Sequence, residues 1–228
     1  MIFDVRSWGR RAVDRLGRLG CVGCLAVGSI GCEEVPRTYS TRAEDGVVLF
    51  SDDFERDTLG PQWAPSGPGA AIERGVLKVE GLQNHPVWLT KSLPDDVRIE
   101  FDAWATTEEG DIKVELAGDG KSSATSLNYV ATGYVVLFGG WNNTLNAIVR
   151  RNEHGRKRQT NTEPKVEPGR RYHFTIVRTG SELRWELDGR EILSYEDEAP
   201  LRGKGHDHFA FSGWDAQTHF DNLVIEAL

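Results

Sequence analysis

The chain has 228 residues, of which 39% are hydrophobic and 27% charged, and its formal net charge is −8. That apolar fraction excludes a disordered chain. The acidic balance excludes a protein built to grip a phosphate backbone, so no nucleic-acid partner is expected.

The charge is placed unevenly. Residues 1–31 hold Arg6, Arg10, Arg11, Arg15 and Arg18 against only Asp4 and Asp14. A basic start ahead of an acidic body is the charge pattern of an exported protein. The uncharged run from Leu19 to Cys32 is shorter than the ~20 residues of a membrane span but long enough for the apolar region of a signal peptide. All three cysteines, Cys21, Cys24 and Cys32, fall in this segment. Cys21 and Cys24 have CxxC spacing without a second ligand pair at zinc-site distance. The closing "SIGC" resembles a bacterial lipoprotein signal. That resemblance implies cleavage before Cys32, a diacylglycerol on Cys32 and, with Glu33 next, an outer-membrane, extracytoplasmic location in a Gram-negative bacterium. The expected organisation is a signal peptide over 1–31, the lipidated cysteine and a polar tether over 32–45, and a folded body over 46–228.

In the body the dominant period is two. "VRIEFDAW" sets Val97, Ile99, Phe101 and Ala103 against Arg98, Glu100, Asp102 and Trp104, the alternation of a half-buried strand. "VVLF", "VLKVE", "VWLTKSL", "DIKVELAG", "YVVLFGG", "NAIVRR", "FAFSG" and "NLVIEAL" are further strand candidates. "YHFTIV" alternates Tyr172, Phe174 and Ile176 against His173 and Thr175. "ELRWELDGREI" predicts a hairpin with Leu183, Trp185 and Leu187 inward and a tight turn at Asp188-Gly189. Clusters such as "APSGPG", "TTEEG" and "AGDGKSS" supply the turns, and no amphipathic helix is evident after residue 46. About a dozen short strands at this spacing predict an all-β sandwich or barrel.

The opening "FSDDFERDTLGPQW", the closing "THFDNLVIEAL" and the late hairpin resemble the concanavalin A-like superfamily of laminin G-like and glucanase-like domains, over roughly residues 48–228. The resemblance implies a jelly-roll sandwich of two antiparallel sheets whose first and last strands run side by side. In the glucanase-like branch an aspartate near the start of the last strand supports a structural calcium ion. Asp221 takes that place here, with Asp53 as a second oxygen donor. The alternative is Asp221 capping a turn through a backbone amide.

Activity is the open question. Glucanase-like hydrolases carry E-x-D-x-E or E-x-D-x-x-E on one strand, at the carboxylate separation that retaining hydrolysis needs. Glu100-x-Asp102 is followed by Trp104, and Asp111 and Glu115 are interrupted by Lys113, so neither completes the motif. His206, His208 and His219 crowd the C-terminal region but divide between two strands, and a solvated or hydrogen-bonded role is expected. Flat aromatic faces beside amides, carboxylates and arginine suit carbohydrate. The candidate ligand residues are therefore Glu100, Asp102, Trp104, Trp141, Asn142, Arg150 and Trp214, with simple packing as the alternative for the three tryptophans. Trp185 is assigned to the core and Trp63 to neither role. The basic run Arg150–Arg158 is read as a solvated hairpin, with contact to an anionic glycan or lipopolysaccharide as its alternative. The expectation is a lipid-anchored, non-catalytic module for a glycan or another surface ligand. The rival readings are a hydrolase or lyase using Glu100 and Asp102, and a structural envelope protein.

Overall fold

The computed structural model describes residues 46–125 and 129–228. The expected signal segment, tether and acylated Cys32 lie outside these residues. The body is an all-β jelly roll of two antiparallel sheets.

One sheet contains β1 (Val47–Asp52), β3 (Ala70–Glu73), β4 (Val76–Val79), β6 (Val97–Ala105), β11 (Tyr172–Thr179), β12 (Glu182–Leu187), β13 (Arg190–Glu196) and β15 (Thr218–Ala227). The other contains β2 (Trp63–Pro65), β5 (Val87–Leu89), β7 (Ile112–Gly118), β8 (Tyr134–Gly139), β9 (Leu145–Arg150), β10 (Arg158–Asn161) and β14 (His208–Ser212). The first sheet runs β13-β12-β11-β6-β15-β4-β3, and the second β10-β9-β8-β7-β14-β5-β2. On one side of β15 lies β6. On its other side β4 pairs with Thr218–Phe220 and β1 with Leu223–Ala227, so the first and last strands are neighbours. The register of β15 on β6 slips between Asp221 and Val224, where Asn222 has φ 52°, a bulge that an asparagine tolerates well.

Alternation decides what each strand buries. In β6 Val97, Ile99, Phe101, Ala103 and Ala105 are buried, and the residues between them are half-buried on the opposite face. Phe101 stacks on Phe174 of β11 with centroids 4.8 Å apart and meets Phe211 of β14 edge-on at 5.6 Å, tying the sheets together. Trp185 is fully buried and stacks on Phe174. Asp188 and Gly189 both have positive φ and close the β12–β13 hairpin, as a two-residue I′ turn requires. Trp63 also joins the core, donating its indole N–H to Asp52 at 2.8 Å. Three strands lack an alternation signal. β2 and β3 are very short and flank "APSGPG", and β10 is polar.

The second sheet is buried on both faces. Val135, Leu137, Ala147 and Val149 point away from the main core yet are almost wholly buried, with Ala131 and Tyr129 packed against them. Glu153 and His154, in the segment that follows β9, border a groove on this side.

Candidate functional site

β7 builds the floor of the groove. Ile112, Val114 and Leu116 enter the core, so period-two geometry sends Lys113 and Glu115 to the other face, with Asp111 just before the strand. Lys113 donates to Asn84 Oδ1 at 2.9 Å and lies 3.1 Å from a Glu153 carboxylate oxygen in the loop after β9. Asp111 accepts the Trp214 backbone N–H at 2.5 Å. Glu115 is capped by the Tyr129 hydroxyl at 2.9 Å and by Ser212 at 3.3 Å. Asn84, Glu109, Asp111, Lys113, Trp141, Asn142, Glu153, His154, Trp214 and Asp215 surround a cavity of about 590 Å³.

Trp141 forms the outer wall by means of an unusual turn. Trp141, Asn142 and Asn143 all have left-handed backbone, with φ of 49°, 61° and 58°, and follow Gly139 at 73°. Non-glycine residues visit this region singly and at a cost of roughly 1–2 kcal/mol each. Surrounding contacts hold the turn in place. Asn143 donates to Val166 O at 2.8 Å and accepts Val166 N–H at 2.9 Å, while Asn146 accepts Gly139 N–H at 2.9 Å. A Cβ on Gly140 would strike Leu137. The result leaves Trp141 36% exposed, against the edge of His154 and beneath Arg158.

Burial governs the charges. It raises Asp111 above the usual aspartate range, although Lys113 pulls the other way. It raises Glu115 to about 7 against the pull of Tyr129 and Lys113. Burial by itself lowers Lys113, but Asp111 and Glu153 outweigh it and hold the ammonium above the usual lysine range. The floor thus offers a fixed cation beside buried carboxyl groups.

The expected ligand residues divide between the two sheets. Trp141, Asn142 and Trp214 line the groove. Glu100, Asp102 and Trp104 lie on the outward face of β6 in the other sheet, within a ladder of ion pairs. His173 Nδ1 meets Asp102 at 2.9 Å, Arg98 reaches Glu100 at 2.7 Å and Arg171 reaches Asp102 at 3.2 Å. Trp104 stacks flat on His219 and carries Arg171 on its face at 4.8 Å. The structure therefore does not assemble the seven residues into one site. Arg150 is withdrawn as well: it donates to Asp197 at 2.7 Å and to Ala199 O at 3.0 Å. Asp53 is exposed and accepts Glu55 N–H at 3.2 Å. Asp221 accepts its neighbour Asn222 N–H at 2.8 Å and is ion-paired with Arg171. Calcium binding at Asp221 would require that guanidinium to leave. His206 faces Ala117 O, His208 faces Asp207 and His219 stacks on Trp104.

Sequence reasoning passed over Asp111, Lys113 and Glu115 because they failed a hydrolase motif. The available signal was two charged residues, Lys113 and Glu115, at alternate positions of a strand whose other face is wholly apolar, with Asp111 in step just before it.

No protein-family model matches the chain. Over 159 residues it is 26% identical to an extracellular exo-α-L-arabinofuranosidase of Streptomyces chartreusis, covering 69% of this chain and 18% of that enzyme. The chain thus spans less than one fifth of that relative's length. Among solved structures it resembles a galectin-like-fold protein of unknown function from Bacillus subtilis, with TM-score 0.61 and 13% identity over 81% of this chain and 97% of that one. Carbohydrate-binding module CBM66 of the same organism gives TM-score 0.54 and 15% identity over 75% and 98%. The laminarinase of Rhodothermus marinus gives 0.55 and 15% over 82% and 99%.

Proposed function

We propose that the body is a carbohydrate-binding module whose ligand lies in the groove over β7, against Trp141 and Trp214. The observation that carries this reading is Trp141 itself. A large aromatic is held at the mouth of a cavity by three consecutive left-handed residues, each adopted at a conformational cost. Sugars present C–H faces to such rings and hydroxyls to polar groups. Asp111, Asn142 and Lys113 provide those groups. The likeness to a carbohydrate-binding module and to glycan-cleaving enzymes supports the same reading.

Binding without catalysis is the form proposed. Glu115, which alternation places on the same strand face as Lys113, is sealed under Tyr129 and Ser212, and Lys113 interrupts the carboxylate series. We further propose that the module works outside the cytoplasm, tethered through Cys32. Labelled fatty acid incorporation that is lost in Cys32→Ser tests the anchor.

A glycan array probed with the full chain, Trp141→Ala and Trp214→Ala tests the site. The expected result is specific binding that weakens at least tenfold in each variant, about 1.4 kcal/mol, without product release. Binding that survives both substitutions places the ligand elsewhere, and cleavage of a bound glycan restores the hydrolase reading.

A further inference from the structure

On the far side of Trp141 the surface changes sign. The hairpin joining β9 to β10 carries Arg151, Arg156, Lys157 and Arg158. Its single acid, Glu153, turns inward to Lys113. Among the described residues none of these four cations has an ion-pair partner within 4 Å. Arg158 is positioned by the backbone, donating to Glu153 O at 2.6 Å, and lies over the Trp141 ring with 5.5 Å between guanidinium carbon and centroid. Trp141, Thr144, Leu145, His154 and Arg158 line a second, shallow hollow of about 400 Å³. Trp141 is therefore the shared wall of two compartments. The inner one carries Glu109, Asp111, Glu153 and Asp215 against one lysine; the outer one is lined by Arg158, on the hairpin that also bears Arg151, Arg156 and Lys157, in a chain of net charge −8.

We propose that the outer hollow is a second subsite for an anionic substituent, a carboxylate or sulfate, on a glycan whose neighbouring neutral ring occupies the groove. This rests on the groove being the carbohydrate site and adds the ligand's class and direction. The acidic inner compartment disfavours a charged sugar there, since like charges in a low-dielectric cleft repel. A guanidinium matches a planar carboxylate or a sulfate face through paired N–H donors. A ligand with a neutral residue followed by an acidic one crosses Trp141 with each part on its complementary side. Four cations on one hairpin with no ion-pair partner among the described residues also repel one another, and a bound anion relieves that repulsion.

The test uses the full chain and oligosaccharides in matched pairs, each neutral member compared with its uronate or O-sulfated counterpart, by calorimetry at low and high salt. The expected result is that acidic members bind about tenfold more tightly at low ionic strength. The advantage should vanish at ~1 M salt, where the Debye length falls to about 3 Å. Arg156→Gln/Lys157→Gln and, separately, Arg158→Gln should remove the advantage while neutral binding persists. Equal binding of both members overturns the second subsite and leaves the groove reading intact. Loss of all glycan binding, neutral and acidic, with Trp141 in place overturns both. Anionic phospholipid vesicles provide the remaining arm. Vesicle binding that is unaffected by Trp141→Ala, with no glycan preference, assigns the cations to a lipid surface and overturns the proposal.

Discussion

Trp141 allows separation of what a residue does for the fold from what it does for a ligand. Its left-handed φ of 49° is one that glycine adopts at little cost. Trp141→Gly should therefore leave the protein as stable as the parent, or more stable by about 1 kcal/mol, while binding falls more than tenfold. Chemical denaturation and calorimetry on the same preparations check both halves. A variant destabilised by more than about 1 kcal/mol would mark Trp141 as a packing residue. Asn143 should behave oppositely. Its two bonds to Val166 lock the turn, so Asn143→Ala should lose about 1–3 kcal/mol and weaken binding through the misplaced ring. Asp221 is a third test. With Arg171 on its carboxylate, calcium should leave Tm unchanged in the parent protein. A calcium-dependent rise in Tm that disappears in Asp221→Asn would show that the ion displaces the guanidinium.

Three strands, β6, β7 and β11, carry titrating groups whose shifts make stability depend on pH. Burial raises Glu115 from 4.5 to about 7, so the folded state holds that proton more tightly than the unfolded one. Its contribution is complete below pH 4.5 and is lost as pH rises through about 7. Glu115→Gln should remove this slope and gain stability relative to the parent above pH 7, by up to about 3 kcal/mol, while matching it near pH 4. Denaturant midpoints across that range check it. On β11, hydrogen bonds to Asp102 and Glu100 raise His173 from 6.5 to about 9. That contribution is present below pH 6.5 and lost as pH rises through about 9. The bond to His173 lowers Glu100 from 4.5 to about 2, so Glu100's contribution disappears as pH falls from 4.5 through about 2. His173→Gln should flatten both limbs.

The same strands mark what could be read from sequence. The alternation in β6, β11 and β12 named the core face of each, and Asp188-Gly189 named its hairpin, because a half-buried strand writes its orientation into every second residue. Alternation says which side of a strand a residue takes but not which sheet that strand joins. Glu100, Asp102 and Trp104 were thus grouped with Trp141 and Trp214, although β6 and β8 lie in different sheets. The cavity was hidden for another reason. Lys113 and Glu115 were weighed only against a hydrolase motif, and the contacts that bury them, from Glu153, Asn84 and Tyr129, are long-range.

At the scale of the whole molecule, the two sheets present different outward surfaces. The sheet containing β6 shows a flat lattice of paired charges with Trp104 covered by Arg171 and His219. Among the described residues, the outward face of β7 is covered by Asn84, Tyr129 and Glu153 and opens into the groove beside Trp141. Binding should therefore be lost in Trp141→Ala but unchanged in Trp104→Ala, measured on one glycan panel. Equal loss in both would show a ligand surface that spans the two sheets.

The pairing of β1 with β15 has a consequence of a different kind. Val47 and Ala227 are direct partners, so the outer ends of β1 and β15 lie about 5 Å apart. A module built this way can be spliced into a surface loop of another protein without prising the host's own chain open. It can also be closed into a ring and reopened at the exposed turn around Arg202–Lys204 with its hydrogen-bond ladders intact. Such a permuted chain should still fold and hold its sugar, because neither β7 nor the Trp141 turn would notice where the polypeptide was cut.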